Sequence, residues 1–172
     1  MSVSGRALLI TLSLALYALL VWTHTLSFIM RSDVGGHVTW HALQFLGIFT
    51  SAMLCGIAIG QQAQKVTRTA LVALQPNQPD IRVDRMLKTA ARIVIAMGMM
   101  YAFLWISPAL NRFLDAHPPL LVEGNSLLYV MGAATGASWA ILYGRRAWLG
   151  LLVSPVLSLL VISNALVTQS WP

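Results

Sequence analysis

VTWHALQFLGIFTSAMLCGIAIG, residues 38–60, holds no charged side chain, and Lys65 and Arg68 follow shortly after it. A helix needs about 20 mainly apolar residues to cross the hydrocarbon of a bilayer, so this stretch reads as a membrane span with cations at one end. Working outward, residues 7–30, 93–110, 126–143 and 147–168 qualify in the same way. Backbone polar groups in lipid must bond within their own segment, which makes these spans helices. The expected fold is all-α, a polytopic membrane protein whose single domain, residues 1–172, is a bundle of five transmembrane helices with one long loop at 61–92.

The cations orient it. Arg6 precedes the first span; Lys65, Arg68, Arg82, Arg85, Lys88 and Arg92 lie between the second and third; Arg145 and Arg146 lie between the fourth and fifth. Only Arg31 and Arg112 of the 11 Lys and Arg residues fall in the other set of segments. Cytoplasmic loops keep an excess of Lys and Arg, so the N-terminus and loop 61–92 are expected inside and the C-terminus outside. Tryptophan and tyrosine prefer the interfaces. Trp22, Trp40, Trp105 and Trp171 fall at the expected outer boundaries, and Trp139, Tyr143 and Trp148 at the inner one. The expected location is the inner (plasma) membrane of a bacterium, crossed several times.

Composition excludes an ordinary soluble domain, since 58% of residues are hydrophobic and 9% charged, against about 25% charged in soluble chains. The net charge of +6 is explained by membrane anchoring, so no nucleic-acid partner is expected. Cys55 is the single cysteine, which rules out an intrachain disulfide and suits a small packing residue. The first apolar run is longer than a signal-peptide core, and residues 23–27 offer no small-x-small cleavage site, so it reads as an uncleaved helix.

Local signals refine the loops. Pro76-Asn77-Gln78-Pro79 is a break and Asp80 an N-cap, so the third helix should begin well before the lipid, with Asp84 and Lys88 spaced for an i,i+4 pair. Residues 65–74 either extend the second helix or lie flat on the inner leaflet as a basic amphipathic piece. Gly144 suits a helix-ending residue, and the short Gly144-Arg145-Arg146 link forces an antiparallel hairpin.

Candidate chemistry gathers on the outer side, where His24, His37, His41 and His117 fall with Asp33, Asp115 and Glu123. His37 and His41 are four residues apart and share a helical face, a spacing that suits a metal ion. His24 and His41 sit at similar depth on adjacent helices, as bis-histidine haem b ligation requires, with Arg31 for a propionate and Gly47 for ring clearance. The plainer alternative is that histidine is at home at an interface, and His-x-x-x-His without a catalytic glutamate is a weak signal. No cofactor is therefore expected in the main reading, and haem b belongs to the alternative.

No nucleophile elbow, phosphate loop or cysteine pair is present, and no catalytic residue is assigned. Apart from Glu123 at a margin, the spans carry no carboxylate or cation, which argues against a proton relay. Polar residues inside the spans are Gln44, Thr50, Ser51, Thr135, Ser138, Ser154, Ser158, Ser163 and Asn164. They could line a permeation path only if they shared one cavity. Asn164 is the costliest to leave in lipid and should bond across to a neighbouring helix, and Ser154-Pro155 marks a kink. Met97-Gly98-Met99-Met100 points around its helix rather than to one site, so it reads as packing.

Two small-xxx-small patterns, Gly56–Gly60 and Gly132–Gly136, allow helices to approach closely. The second lies in a run of small residues that makes helix four the expected central or partner-facing helix. The functional expectation is a non-catalytic subunit or assembly partner of a larger membrane complex, meeting a membrane protein or a second copy through helix four. The alternatives are a haem b- or metal-binding electron-transfer subunit and a small-molecule permease component.

Overall fold

The computed structural model describes residues 3–30, 37–74, 81–107 and 116–152, together with 110, 113, 156, 159, 160 and 163. Within its helices, the side chains at 3, 23–30, 37–43, 67, 68, 70–74, 81–83, 106, 118, 121, 122 and 145 lie outside that description. Among the described residues, four α-helices follow one another: α1, Val3–Met30; α2, His37–Leu74; α3, Ile81–Ile106; and α4, Pro118–Tyr143. A 3-10 helix, Gly144–Leu152, comes next. Ser4–Trp22, Gln44–Val66, Asp84–Trp105 and Glu123–Tyr143 are each long and apolar enough to cross a membrane. The fifth expected span begins as the 3-10 helix, and most of residues 153–168 lie outside the described ones.

At 38 residues, α2 is about 57 Å long, nearly twice the roughly 30 Å of a hydrocarbon core. Of the two alternatives for residues 65–74, the structure takes the helical extension. Beginning at Ile81, α3 has three turns before Arg92, and Lys88 Nζ meets Asp84 Oδ2 at 2.6 Å on its exposed side. That pair is half exposed and contributes little to stability.

The centre of the bundle is α2, not helix four as the run of small residues had suggested. Within the spans, 72% of α2 is buried, against 33% of α4, 17% of α3 and 6% of α1. Phe45, Ile48, Phe49 and Met53 of α2 form the main core with Ala102 and Trp105 of α3 and Leu128 of α4. A small second core joins Ile57, Ala140 and Ala147.

Contacts give the directions of the helices. Gln64 Nε2 donates to the Ile141 carbonyl, while Phe49 and Met53 back onto Gly132 and Gly136, so α2 and α4 run parallel. Gly98 meets Thr135 and Trp105 meets Gly124, which makes α3 antiparallel to α4. Leu20 lies over Gly47 and Arg6 beside Gln62, so α1 is antiparallel to α2. The described cations Arg6, Lys65, Arg85, Lys88, Arg92 and Arg146 therefore collect at one end, with His117 and Glu123 at the other.

The 3-10 helix has a readable cause. Its side chains superpose every three residues, and Gly144, Ala147 and Gly150 repeat at that interval. This narrow edge lies against α4, with Ala147 fully buried and Gly150 beneath the Trp139 ring. The reversal depends on Gly144, whose φ of 55° and ψ of −117° lie in a region that L side chains avoid. Its N–H caps the Ala140 carbonyl. Gly144→Ala is expected to cost about 1–3 kcal/mol through backbone strain alone, because nothing lies within 4 Å of the added methyl. Thermal unfolding in detergent reads this, and an unchanged midpoint would contradict the strained turn.

Candidate functional site

The most tightly built part of the molecule is the crossing of α2 with α4. Gly56 and Gly60 face Ala133 and Ala137, and Gly132 and Gly136 face Phe49, Ala52 and Met53. A Cβ added at Gly132 would stand 2.6 Å from the Phe49 carbonyl oxygen, and one at Gly60 would stand 2.5 Å from that of Ala137. Both glycine pairs thus pack within the chain, each seated on the other helix's backbone. Lipid offers no hydrophobic drive between helices, so such contact works through close packing and through glycine Cα–H groups near carbonyl oxygens. An outside helix can reach this face of α4 only if α2 leaves it.

Beside the crossing lies a polar junction midway along the spans. Ser13 of α1, fully buried, donates to the Ser51 carbonyl and shares a hydrogen bond of 2.8 Å with the Tyr129 hydroxyl of α4. Tyr17 lies against Tyr129, ring centroids 4.5 Å apart. Ser13 and Tyr129 carried no motif in the sequence, since a lone serine and a lone tyrosine on different helices have no spacing to notice. The junction ties three helices and has no titratable carboxylate or imidazole of its own.

Four of the other polar residues inside the spans bond to their own helices. Thr50 donates to Leu46, Ser51 to Ile48, Thr135 to Met131 and Ser163 to Leu159, each through a backbone carbonyl at 2.6–2.8 Å. These hydroxyls are satisfied one turn back and do not gather around a common space. Asn125, 3% exposed, was not singled out from the sequence. Its Oδ1 is buried with no hydrogen-bond partner among the described residues.

The candidate ligands divide. His24 lies on α1 and His37 and His41 on α2, but their side chains fall outside the described residues, as does all of Asn164. By register His24 is four residues beyond Leu20 and His41 six before Gly47. Since Leu20 and Gly47 touch, the two histidines differ in height by about 3 Å along the bundle. The space over Gly47, expected as clearance for a porphyrin, is filled by Leu20, whose Cδ1 would be 3.0 Å from an added Cβ. His117 is exposed, its Nδ1 2.8 Å from the Phe113 carbonyl and its ring stacked on Phe113 at 4.4 Å. Glu123 is exposed too. No group of three metal-ligating side chains occurs among the described residues.

Among the described tryptophans, Trp105 stands at the end of its span as expected but is buried. Trp22 and Trp148 are exposed, as interfacial residues would be, but Trp105 is 5% exposed and packs edge-on against Phe45, ring centroids 4.8 Å apart. It fills the space that Gly124 leaves, and so belongs to the core.

Comparison with protein-family models, curated proteins and solved structures finds no match. Any functional reading therefore rests on this geometry.

Proposed function

We propose that the protein is a non-catalytic subunit or assembly partner of a larger complex in a bacterial inner membrane, oriented with Arg6 and the 61–92 hairpin in the cytoplasm. The observation that carries this reading is the outer face of α3. Met86, Ile93 and Met100 repeat every seven residues, Ala90, Met97 and Leu104 follow each by four, and all six are exposed. Such a stripe is what one helix offers another, and methionine adapts to an irregular partner surface. The opposite face of α3 is already engaged through Gly98, Ala102 and Trp105. The partner surface is accordingly assigned to α3 rather than to the small face of α4.

Two further observations favour a scaffold. Among the described residues, the hydroxyls of Thr50, Ser51 and Thr135 bond within their own helices, which weighs against the permease alternative. The collection of cations at one end is what the positive-inside orientation requires. The electron-transfer alternative, with His24 and His41 on haem b or His37 and His41 on a metal, turns on an absorption spectrum of the purified protein. A Soret band or a stoichiometric metal would replace the scaffold reading.

The reading is tested with Met97→Trp and Met100→Trp. Both side chains point away from the bundle, so the purified chain should melt as the wild type does. In membranes solubilised with mild detergent, the wild type should migrate as a discrete assembly with a second protein, and the double variant should run free of it. A native species that is already monomeric, or an assembly indifferent to both tryptophans, would overturn the assignment.

A further inference from the structure

We propose that the groove between α1 and α2 at the basic end holds one acyl chain of an anionic phospholipid, with the lipid phosphate against Arg6. The groove has a volume of about 580 Å³ and is lined by Arg6, Ala7 and Ile10 of α1 and by Ala58, Ile59, Gln62, Ala63 and Val66 of α2. Ile59, Gln62, Ala63 and Val66 form the exposed face of a helix whose opposite side is core.

Apart from Val66, one turn beyond Gln62, polarity grades along the groove as it does along a phospholipid. Because α1 and α2 are antiparallel, Ile10 lies level with Ala58 and Ile59 toward the middle of the span, where the lining is wholly apolar. Arg6 and Gln62 lie toward the basic end, a guanidinium suited to phosphate and an amide suited to ester oxygens. Charge is one-sided as well. Neither α1 nor α2 carries an Asp or Glu along its whole length, whereas Arg6, Lys65 and Arg68 are all at this end. Basic pockets between membrane helices on the cytoplasmic side are suited to anionic headgroups, and in the orientation proposed above, on which this inference rests, the inner leaflet supplies them. The site is independent of the α3 stripe, so either can fail without the other.

The test uses the full-length purified protein in mixed micelles containing phosphatidylglycerol or phosphatidylcholine of identical chains, with retained lipid counted by native mass spectrometry. The wild type should retain one phosphatidylglycerol about fivefold better than phosphatidylcholine, the factor for about 1 kcal/mol from one cation at a charged surface. Arg6→Gln should bring the ratio close to one. Gln62→Glu should do the same by adding a carboxylate without removing a cation, and it carries the test if Arg6→Gln fails to fold. Ala63→Trp, which fills the groove, should lower retention of both lipids. Arg146→Gln, an exposed charge removed at the same end, should leave the ratio unchanged. Equal retention of the two lipids by the wild type overturns the proposal, as does full retention by Ala63→Trp. A loss of preference in Arg146→Gln as large as in Arg6→Gln means general surface charge and overturns it too. Displacement by millimolar inorganic phosphate would mean an anion site with no role for the chain, with the same consequence.

Discussion

Gly136→Leu should abolish the native packing of α2 on α4. An added Cβ at Gly136 strikes the carbonyl oxygen, Cα and carbonyl carbon of Met53, so no rotamer change relieves it and the helices must part. Overpacking a core that can adjust costs about 1–3 kcal/mol, and a collision with backbone stands at or above the top of that range. The same follows for Gly56→Leu, which strikes Ala133 and Ala137. The expected result is loss of a monodisperse, cooperatively melting species in detergent, with Val130→Leu, on the exposed side of α4, as the unaffected control. Gly98→Ala provides the contrast. Its nearest obstacle is the side-chain Oγ1 of Thr135, and the Thr135 Cβ lies at 3.2 Å. Thr135→Ala should therefore rescue Gly98→Ala, whereas Met53→Ala should not rescue Gly136→Leu. Rescue of the second pair would mean that the glycines are not seated on backbone.

Trp105→Ala should cost about 1–3 kcal/mol. Truncating a buried aromatic typically costs about 3–5 kcal/mol in water-soluble proteins, part of which is transfer from water. Between membrane helices that part is small, but the lost dispersion contacts and the cavity remain. Here the void would be bounded by Phe45, Leu128 and the bare Cα of Gly124. Gly124→Ala alone should also destabilise, because its methyl would meet the indole ring, and the two changes together should cost less than their sum. Thermal and denaturant unfolding of the four proteins in one detergent measures the coupling. If Trp105→Ala were neutral, the indole would be an interfacial anchor, and its place in the core would be wrong.

Trp105 also marks where reading the sequence stops. Both an interfacial belt and a buried ring end a span with tryptophan, and the residue that separates them, Gly124, is nineteen positions away. The second span, expected at 38–60 and found at Gln44–Val66, was legible in kind though not in its bounds, because an apolar average over twenty residues is insensitive to which side faces where. The start of α3 near Ile81 and the Asp84–Lys88 pair were legible because their causes lie within one turn. Gly144 was marked as a helix end, but its period-three continuation through Ala147 and Gly150 was hidden under an apolar run that also satisfies a membrane α-helix.

The candidate site divided along the same line. Gly56, Gly60, Gly132 and Gly136 could be read as close-packing residues from spacing alone. That both pairs lie in one α2–α4 interface, each against the other helix's backbone, and that the stripe on α3 is left outward, could not. Ser13 and Tyr129 were invisible until α1 and α4 stood side by side.

The sequence by itself determined that four of the expected segments can cross a bilayer and at which end their described cations fall, because transfer into lipid and attraction to a charged leaflet act on each segment alone. Only the tertiary structure decided which glycine lies under which carbonyl, which tryptophan is core and where Arg6 meets an apolar groove. Those are properties of pairs of surfaces, and between helices already in lipid the energy that selects a pair is the fit of shapes, which hydropathy does not encode.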